Sequence, residues 1–215
     1  ALPLMNLLPP PIRNAPQGEW LLGITGNSGF TQTKSGQRGM WDTMGELDEL
    51  FERYPQVKVY DCETWKHSAK RQADQMKLDG VTHSIHIGYS YGGGYGVNKL
   101  SRACIKRGIR PEMLLLCDPV YRNRFLPPFF VSNIFAVRSL FPGSAKIKYP
   151  AGVHIKGIRQ EKNKPQAHPV QIGDGEPYNL PLAQDKTLIH SEMDDCNEWR
   201  ALVLHTVSAY VSHFR

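Results

Sequence analysis

The sequence predicts an α/β fold, in which a mostly parallel β-sheet carries helices on both faces. Short apolar runs alternate with amphipathic stretches from residue 20 to residue 118, and this alternation is typical of β-α-β units. Residues 113–117 form an almost continuous apolar run, which indicates a parallel strand covered on both sides. With 215 residues the chain can form one substantial core, so a single domain is expected, with two smaller domains as the alternative.

Each element of this alternation has its own sequence signals. Apolar residues three and four positions apart, ended by Pro55, indicate the first helix. Gly80 closes the second helix, and two cations followed by Gly108 end the third. The expected strands are residues 19–25, 57–60, a run beginning at 83, and 113–117, and the expected helices are residues 41–54, 66–78 and 97–108. Residues 26–29, Gly-Asn-Ser-Gly, are expected to form a flexible polar loop after the first strand.

Outside this region the pattern is less regular. Residues 1–18 are rich in proline and are expected to form an extended arm beside a domain that spans residues 19–215. Residues 119–186 are expected to be a basic insertion or a region that covers the substrate, with possible strands at 133–140 and 153–158. A final helix carries its apolar residues on one side: Trp199, Leu202, Val203, Val207, Tyr210, Val211 and Phe214.

Composition indicates an ordinary globular protein, with 40% hydrophobic and 21% charged residues. No apolar run reaches the roughly 18–20 residues that span a bilayer, and the proline-broken start does not resemble a signal peptide. The four cysteines are widely spaced. They are interpreted as small core residues in a reducing compartment, with a disulfide pair as the alternative. A cytoplasmic location is favoured over a secreted one, which would require that a signal peptide had been removed.

The positive charge is concentrated in one part of the chain. The formal net charge is +6, and residues 102–164 hold 13 Lys or Arg against three acids. This excess is expected either to form a solvated surface or to face an anionic substrate, an acidic envelope polymer or a membrane surface. A nucleic-acid partner is not expected, because no recognition motif or interleaving of basic and aromatic residues is found.

The sequence Gly-Tyr-Ser-Tyr-Gly at residues 88–92 carries the functional prediction. A serine at the apex of a strand-to-helix turn needs a positive φ, and the residues two before and two after it must be small, as Gly88 and Gly92 are. The Ser90 hydroxyl would then be exposed over a helix N-terminus. The stretch resembles the nucleophile elbow of the α/β-hydrolases, particularly lipases and esterases, and the resemblance covers about residues 20–118 and 187–214.

The predicted partners of Ser90 are an acid and a histidine. Asp118 directly follows the strand next to the one that leads into Ser90, and parallel neighbours present their carboxyl ends at one edge. Asp61 also ends a strand, but the resemblance implies the order nucleophile, acid, histidine. His190 precedes the last helix, where the α/β-hydrolases carry their catalytic base. His154 and His168 are the alternatives, whereas His86 lies inside a strand and is interpreted as an interior residue.

The remaining site residues complete an acyl-transfer site. The backbone N–H groups of Tyr91 and Asn27 are the predicted oxyanion hole, with Ser28 as the alternative to Asn27. Four apolar residues of the 119–170 region are expected either to line an acyl pocket or to pack on the domain: Phe125, Leu126, Phe129 and Phe130. Nothing in the sequence implies a metal or an organic cofactor.

The resemblance therefore implies a serine esterase with a Ser-His-Asp triad, acting on a small-molecule or lipid-like ester. Thioester hydrolysis and acyl transfer use the same residues and remain alternatives, as does a binding protein for an anionic ligand that has this fold but no activity.

Overall fold

The computed structural model describes residues 19–29, 39–119, 133–137, 154–155, 158–159, 170–172, 194–195 and 197–212. The strands are β1 (Leu22–Ser28), β2 (Val57–Val59), β3 (Glu63–Thr64), β4 (His83–Tyr89), β5 (Arg110–Cys117), β6 (Asn133–Val137), β7 (His154–Ile155), β8 (Ile158–Arg159) and β9 (Val170–Ile172). The helices are α1 (Met40–Phe51), α2 (Ala69–Leu78), α3 (Val97–Ile105) and α4 (Asn197–Ser212). A π-helical turn, Gly92–Gly96, leads into α3.

Seven of these strands form one mostly parallel sheet. Its order is β2-β1-β4-β5-β6-β9, and β3 pairs with the carboxyl end of β1 beside β2. All pairs are parallel except β6 and β9, which run antiparallel. The parallel sheet with its connecting helices confirms the predicted α/β class. β7 and β8 form a separate two-stranded antiparallel pair.

Strand β4 shows how the helices divide between the two faces of the sheet. Ile85 and Ile87 belong to a hydrophobic cluster with α1 and α4, whereas Ser84 makes a side-chain hydrogen bond with Cys104 of α3. Side chains alternate between the faces of a strand, so α1 and α4 cover one face and α3 the other. A second hydrophobic cluster joins α2 to α3 on that other face.

The alternation predicted for residues 20–118 is confirmed, with corrections at three places. Residues 26–28 do not form a loop, because β1 continues through Ser28 and every residue of β1 is buried. The short strand β3 was not predicted. Helix α2 begins later than expected because the Ser68 side chain accepts a hydrogen bond from the Arg71 N–H at 3.3 Å and caps the helix.

His86 lies in the interior, as the sequence predicts. His86 is fully buried between Thr25 Oγ1, 2.7 Å from its Nδ1, and Ser84 Oγ, 2.9 Å from its Nε2. Burial lowers the pKa of His86 to about 3, because the charged form would lose its hydration. His86 is therefore neutral, and it holds two neighbouring strands together.

Two further predictions concern thiols and membrane spans. Cys62, Cys104 and Cys117 are buried free thiols, as expected of small core residues. Within the part of the chain that the structure describes, no helix is both long enough and apolar enough to cross a bilayer.

Candidate active site

The carboxyl ends of three neighbouring parallel strands meet at one edge of the sheet. Asn27 near the end of β1 is opposite Gly88 of β4, and Tyr89 at the end of β4 is opposite Cys117 at the end of β5. Adjacent strands lie about 4.8 Å apart. Ser90 follows Tyr89 and Asp118 follows Cys117, so both residues come directly after paired positions of adjacent strands.

Ser90 occupies the turn between β4 and the helical segment that leads to α3. Its φ is 55°, the left-handed conformation that a non-glycine residue rarely adopts. Its N–H donates to Cys117 O at 3.1 Å, and its carbonyl accepts from the Gly94 N–H at 3.0 Å. The positive φ predicted for Ser90 is found. The residue is only 7% exposed, which is less than the sequence predicts.

The positions two residues before and two after Ser90 must be glycine because there is no room for a side chain. A Cβ at Gly88 would lie 2.5 Å from Gly93 Cα, and a Cβ at Gly92 would overlap the Asn27 carbonyl and lie 2.6 Å from Ser28 O. These distances are below those that side chains tolerate, and the neighbouring atoms are backbone. The requirement for small residues on both sides of Ser90 is therefore confirmed, and it arises at Gly92 from the close approach of the turn to β1.

Asp118 is the second residue with an unusual backbone. Its φ is 41°, and among the described residues it and Ser90 are the two non-glycine residues with positive φ. Asp118 is fully buried, and Pro119 after it approaches Gly93 of the helical turn. Strained conformations of this kind cost about 1–3 kcal/mol each and cluster at functional sites.

The end of β1 lies against Ser90, and there Asn27, the residue predicted for the oxyanion hole, is followed after Ser28 by Gly29. Asn27 is within the strand and 3% exposed, and its Nδ2 has no hydrogen-bond partner among the described residues. A Cβ at Gly29 would lie 2.9 Å from Ser90 Cβ and 3.2 Å from Ser90 Oγ. Gly29 thus brings backbone next to the serine hydroxyl, and its closeness explains why Ser90 is mostly covered.

Three aromatic side chains flank the helical turn, and no role was predicted from the sequence for any of these side chains. The Trp65 ring lies 5.7 Å from the Tyr91 ring and 5.5 Å from the Tyr95 ring. The backbone N–H of Trp65 donates to Ser28 O at 3.0 Å, which holds this cluster at the end of β1. Tyr91 and Tyr95 are partly exposed, so the aromatic cluster borders the position of Ser90.

The residues just before helix α4 attach the chain to the N-terminus of α1. Asp194 Oδ2 accepts from the Met40 N–H at 3.3 Å, and Asp195 Oδ1 accepts from the Gly39 N–H at 3.2 Å. The two carboxylates lie at the N-terminus of α1, where they are favoured by the helix dipole. Asp194 is 1% exposed, so this attachment is buried.

Several predicted site residues lie outside the described residues. They are His190, the alternatives His154 (as a side chain) and His168, and the apolar residues Phe125, Leu126, Phe129 and Phe130. Among the described histidines, His83 lies at the amino end of β4, 3.7 Å from Glu112, and is far from Ser90. His67, which no sequence pattern had indicated, follows β3 and pairs with Glu63 at 3.2 Å.

A cavity of about 390 Å³ lies beside the site, between α1 and the ends of β2 and β3. Its lining includes Trp41, Met44, Tyr60 and Cys62 together with three carboxylates, but neither Ser90 nor Asp118. Among the residues described, no group of three or more His, Cys, Asp or Glu side chains is arranged to hold a metal. No known protein-family model, curated protein or solved structure matches the chain.

Proposed function

We propose that the protein is a serine hydrolase that cleaves carboxylic esters through an acyl-enzyme on Ser90. The observation that carries the proposal is that Ser90 and Asp118 are the two described non-glycine residues with positive φ, and that they follow paired positions of adjacent strands. A serine hydroxyl can act as the nucleophile, and a carboxylate can orient the histidine that activates it. Their strained backbones at one sheet edge are what a preorganised catalytic site requires.

The proposal includes the finer fold, a three-layer α/β-hydrolase domain over residues 19–215. It is supported by the strand that carries the serine, which lies near the centre of the sheet with parallel neighbours on both sides. The helices on the two faces of β4 support it as well. In this fold the turn after the central strand presents the nucleophile.

In the proposed reaction, His190 accepts the Ser90 hydroxyl proton while Oγ attacks the ester carbonyl carbon. The tetrahedral intermediate collapses, and the bond between the carbonyl carbon and the alcohol oxygen breaks. His190 donates its proton to the departing alcohol. Water then attacks the acyl-enzyme, again with His190 as base, which releases the acid and restores Ser90. Asp118 would orient the imidazole and stabilise its charged form.

The position of His190 is supported by the attachment of α4. Asp194 is fixed at the N-terminus of α1, and four residues of extended chain reach at most about 14 Å. Since α1 follows β1 in the chain, its N-terminus lies on the side of the sheet where β1 ends. A connection of this length would allow His190 to reach the carboxyl edge.

For the oxyanion hole we propose the Tyr91 N–H and a second donor from the end of β1. Tyr91 directly follows Ser90 and begins the helical segment, and in a nucleophile elbow the N–H of the residue after the serine binds the oxyanion. Asn27 is the residue predicted from the sequence. Because Asn27 is paired within the sheet and Gly29 approaches Ser90 Oγ, the Gly29 N–H is the better second donor.

The substrate is proposed to be a small-molecule or lipid-like ester. Phe125, Leu126, Phe129 and Phe130 would supply its acyl pocket, and the basic residues between 102 and 164 would favour an anionic group on it. Thioesters and an acceptor alcohol in place of water fit the same chemistry.

The experiment is a comparison of ester hydrolysis by Ser90→Ala and Ser212→Ala. Ser212 is exposed at the end of α4, so its substitution controls for the loss of a hydroxyl. We expect a panel of aryl and alkyl esters to be hydrolysed by Ser212→Ala at the wild-type rate and by Ser90→Ala at about the uncatalysed rate. Equal rates for the two variants would contradict the proposal, and a protein inactive on every ester and thioester would favour a binding function.

A second pair of variants identifies the base. His190→Gln should lower kcat by several orders of magnitude, whereas His67→Gln should leave it nearly unchanged. The opposite result would move the base to His67, the described histidine that follows β3 and is paired with Glu63.

A further inference from the structure

Charge is distributed unequally between two stretches of the described chain. Residues 39–63, which form α1 and the edge strands β2 and β3, hold seven acids and two bases. Residues 64–108, which include α2 and α3, hold eight bases and two acids. The eight bases are Lys66, Lys70, Arg71, Lys77, Lys99, Arg102, Lys106 and Arg107. We call the exposed surface of α2 and α3 the basic face.

The two acids in this region do not neutralise the basic face. Asp74 pairs with Arg107 at 2.6 Å. Asp79 accepts from Lys58 of β2 at 2.9 Å, from the Tyr60 hydroxyl at 2.7 Å and from Gln75 of α2 at 3.0 Å, so its charge is shared with the edge strand. Lys77 and Lys106 are exposed and form no ion pair among the described residues, and Lys70 is exposed one helical turn before Asp74.

The basic face also exposes aliphatic side chains at one end. Leu78, the last residue of α2, is 82% exposed, and Ile105, the last residue of α3, is 38% exposed. Both helices end where the next strand begins, and those strand starts are paired through His83 and Arg110. Each aliphatic residue has a lysine beside it in the chain, so lysines and apolar side chains share this end of the molecule.

We propose that the basic face binds the surface of an anionic lipid bilayer. Each Lys or Arg near such a surface adds electrostatic attraction, while exposed aliphatic side chains gain by entering the boundary between headgroups and acyl chains. A nucleic-acid backbone would pair with the charges but would make no favourable contact with Leu78 and Ile105, because these side chains have no ring to stack on bases. The combination of the two features therefore favours lipid.

This proposal does not depend on the proposed hydrolase activity. Leu78 and Ile105 lie near the amino ends of β4 and β5, whereas Ser90 and Asp118 follow the carboxyl ends of the same strands. Contact through the aliphatic end of the basic face leaves the edge that carries Ser90 uncovered.

The test is co-sedimentation of the full chain with two kinds of vesicle, phosphatidylcholine alone and phosphatidylcholine mixed with phosphatidylglycerol. We expect binding to the mixed vesicles only, and weaker binding as salt is raised. Lys77→Gln with Lys106→Gln should reduce the partition coefficient about 25-fold, since one cation near the surface contributes about fivefold. Leu78→Gln should reduce it about fivefold at every salt concentration.

The matched control changes the net charge equally on the other side of the sheet. Arg53→Gln with Gln56→Glu lowers the charge by the same amount as the lysine pair, at exposed positions just after α1. This control should bind as the wild type does. Equal losses in both double variants, binding to neutral vesicles, or absence of vesicle binding would overturn the proposal. Unchanged binding by Leu78→Gln together with retention of duplex DNA would assign the face to nucleic acid instead.

Discussion

Replacement of Gly92 by alanine tests the close approach that shapes the turn at Ser90. A Cβ there would overlap the Asn27 carbonyl and lie 2.6 Å from Ser28 O. Both obstacles are backbone of a buried central strand, so neither can rotate away. Overpacking of this kind costs about 1–3 kcal/mol or more, which exceeds the gain of about 1 kcal/mol that alanine has over glycine in a helix.

Gly45 supplies the matched control because it is also helical, but a Cβ added there would have no atom within 4 Å. Gly45→Ala should raise the free energy of unfolding by about 0.5–1 kcal/mol. Gly92→Ala should lower it by about 1–3 kcal/mol and should also reduce labelling of Ser90 by a fluorophosphonate. Urea denaturation measures both values. A Gly92→Ala protein as stable as Gly45→Ala would refute the packing of the turn against β1.

Three other outcomes are expected. His86 has a pKa of about 3 in the folded chain against about 6.5 in the unfolded chain. Its contribution to the free energy of unfolding should therefore be lost at about 1.4 kcal/mol per pH unit as the pH falls from 6.5 towards 3. His86→Gln should remove that slope in acid denaturation curves. Gly39 has φ 78° and ψ −123° and faces the Asp194 carboxylate. Gly39→Ala should lower the free energy of unfolding by about 2–3 kcal/mol, measured by thermal denaturation. The loss should be clearly larger than for Gly108→Ala, because Gly108 has a similar φ of 74° but no atom near the added Cβ. Asp118→Asn should lower kcat about 10⁴-fold, whereas Asp61→Asn, at an exposed position after β2, should leave it unchanged; similar rates for the two variants would remove Asp118 from the triad.

The α/β class could be predicted because its signals are local. Apolar runs, prolines and glycines at element ends mark strands and helices within a few residues. Consecutive strands usually lie side by side, as β4 and β5 do, and this pairing puts Ser90 and Asp118 at neighbouring strand ends. The small residues around Ser90 could be predicted for a similar reason, since they result from the geometry of one turn.

Features that depend on distant contacts could not be predicted. The strand continuation through Ser28 is stabilised by pairing with β3 and β4, which overrides the turn preference of Gly-Asn-Ser-Gly. Gly29 meets Ser90 across the sheet, and the Trp65 ring reaches Tyr91 from a separate segment. The hydrogen bond between Asp194 and α1 joins residues more than 150 positions apart, and no local sequence pattern predicts it.

Identification of the residue modified by a fluorophosphonate tests the central claim most directly. The reagent forms a covalent phosphonate ester only with a serine activated by a neighbouring base. We predict one adduct per chain, located by peptide mass spectrometry on Ser90, and none in Ser90→Ala. An adduct on another serine, or a wild-type chain that stays unmodified while folded, would contradict the assignment of Ser90 as the nucleophile.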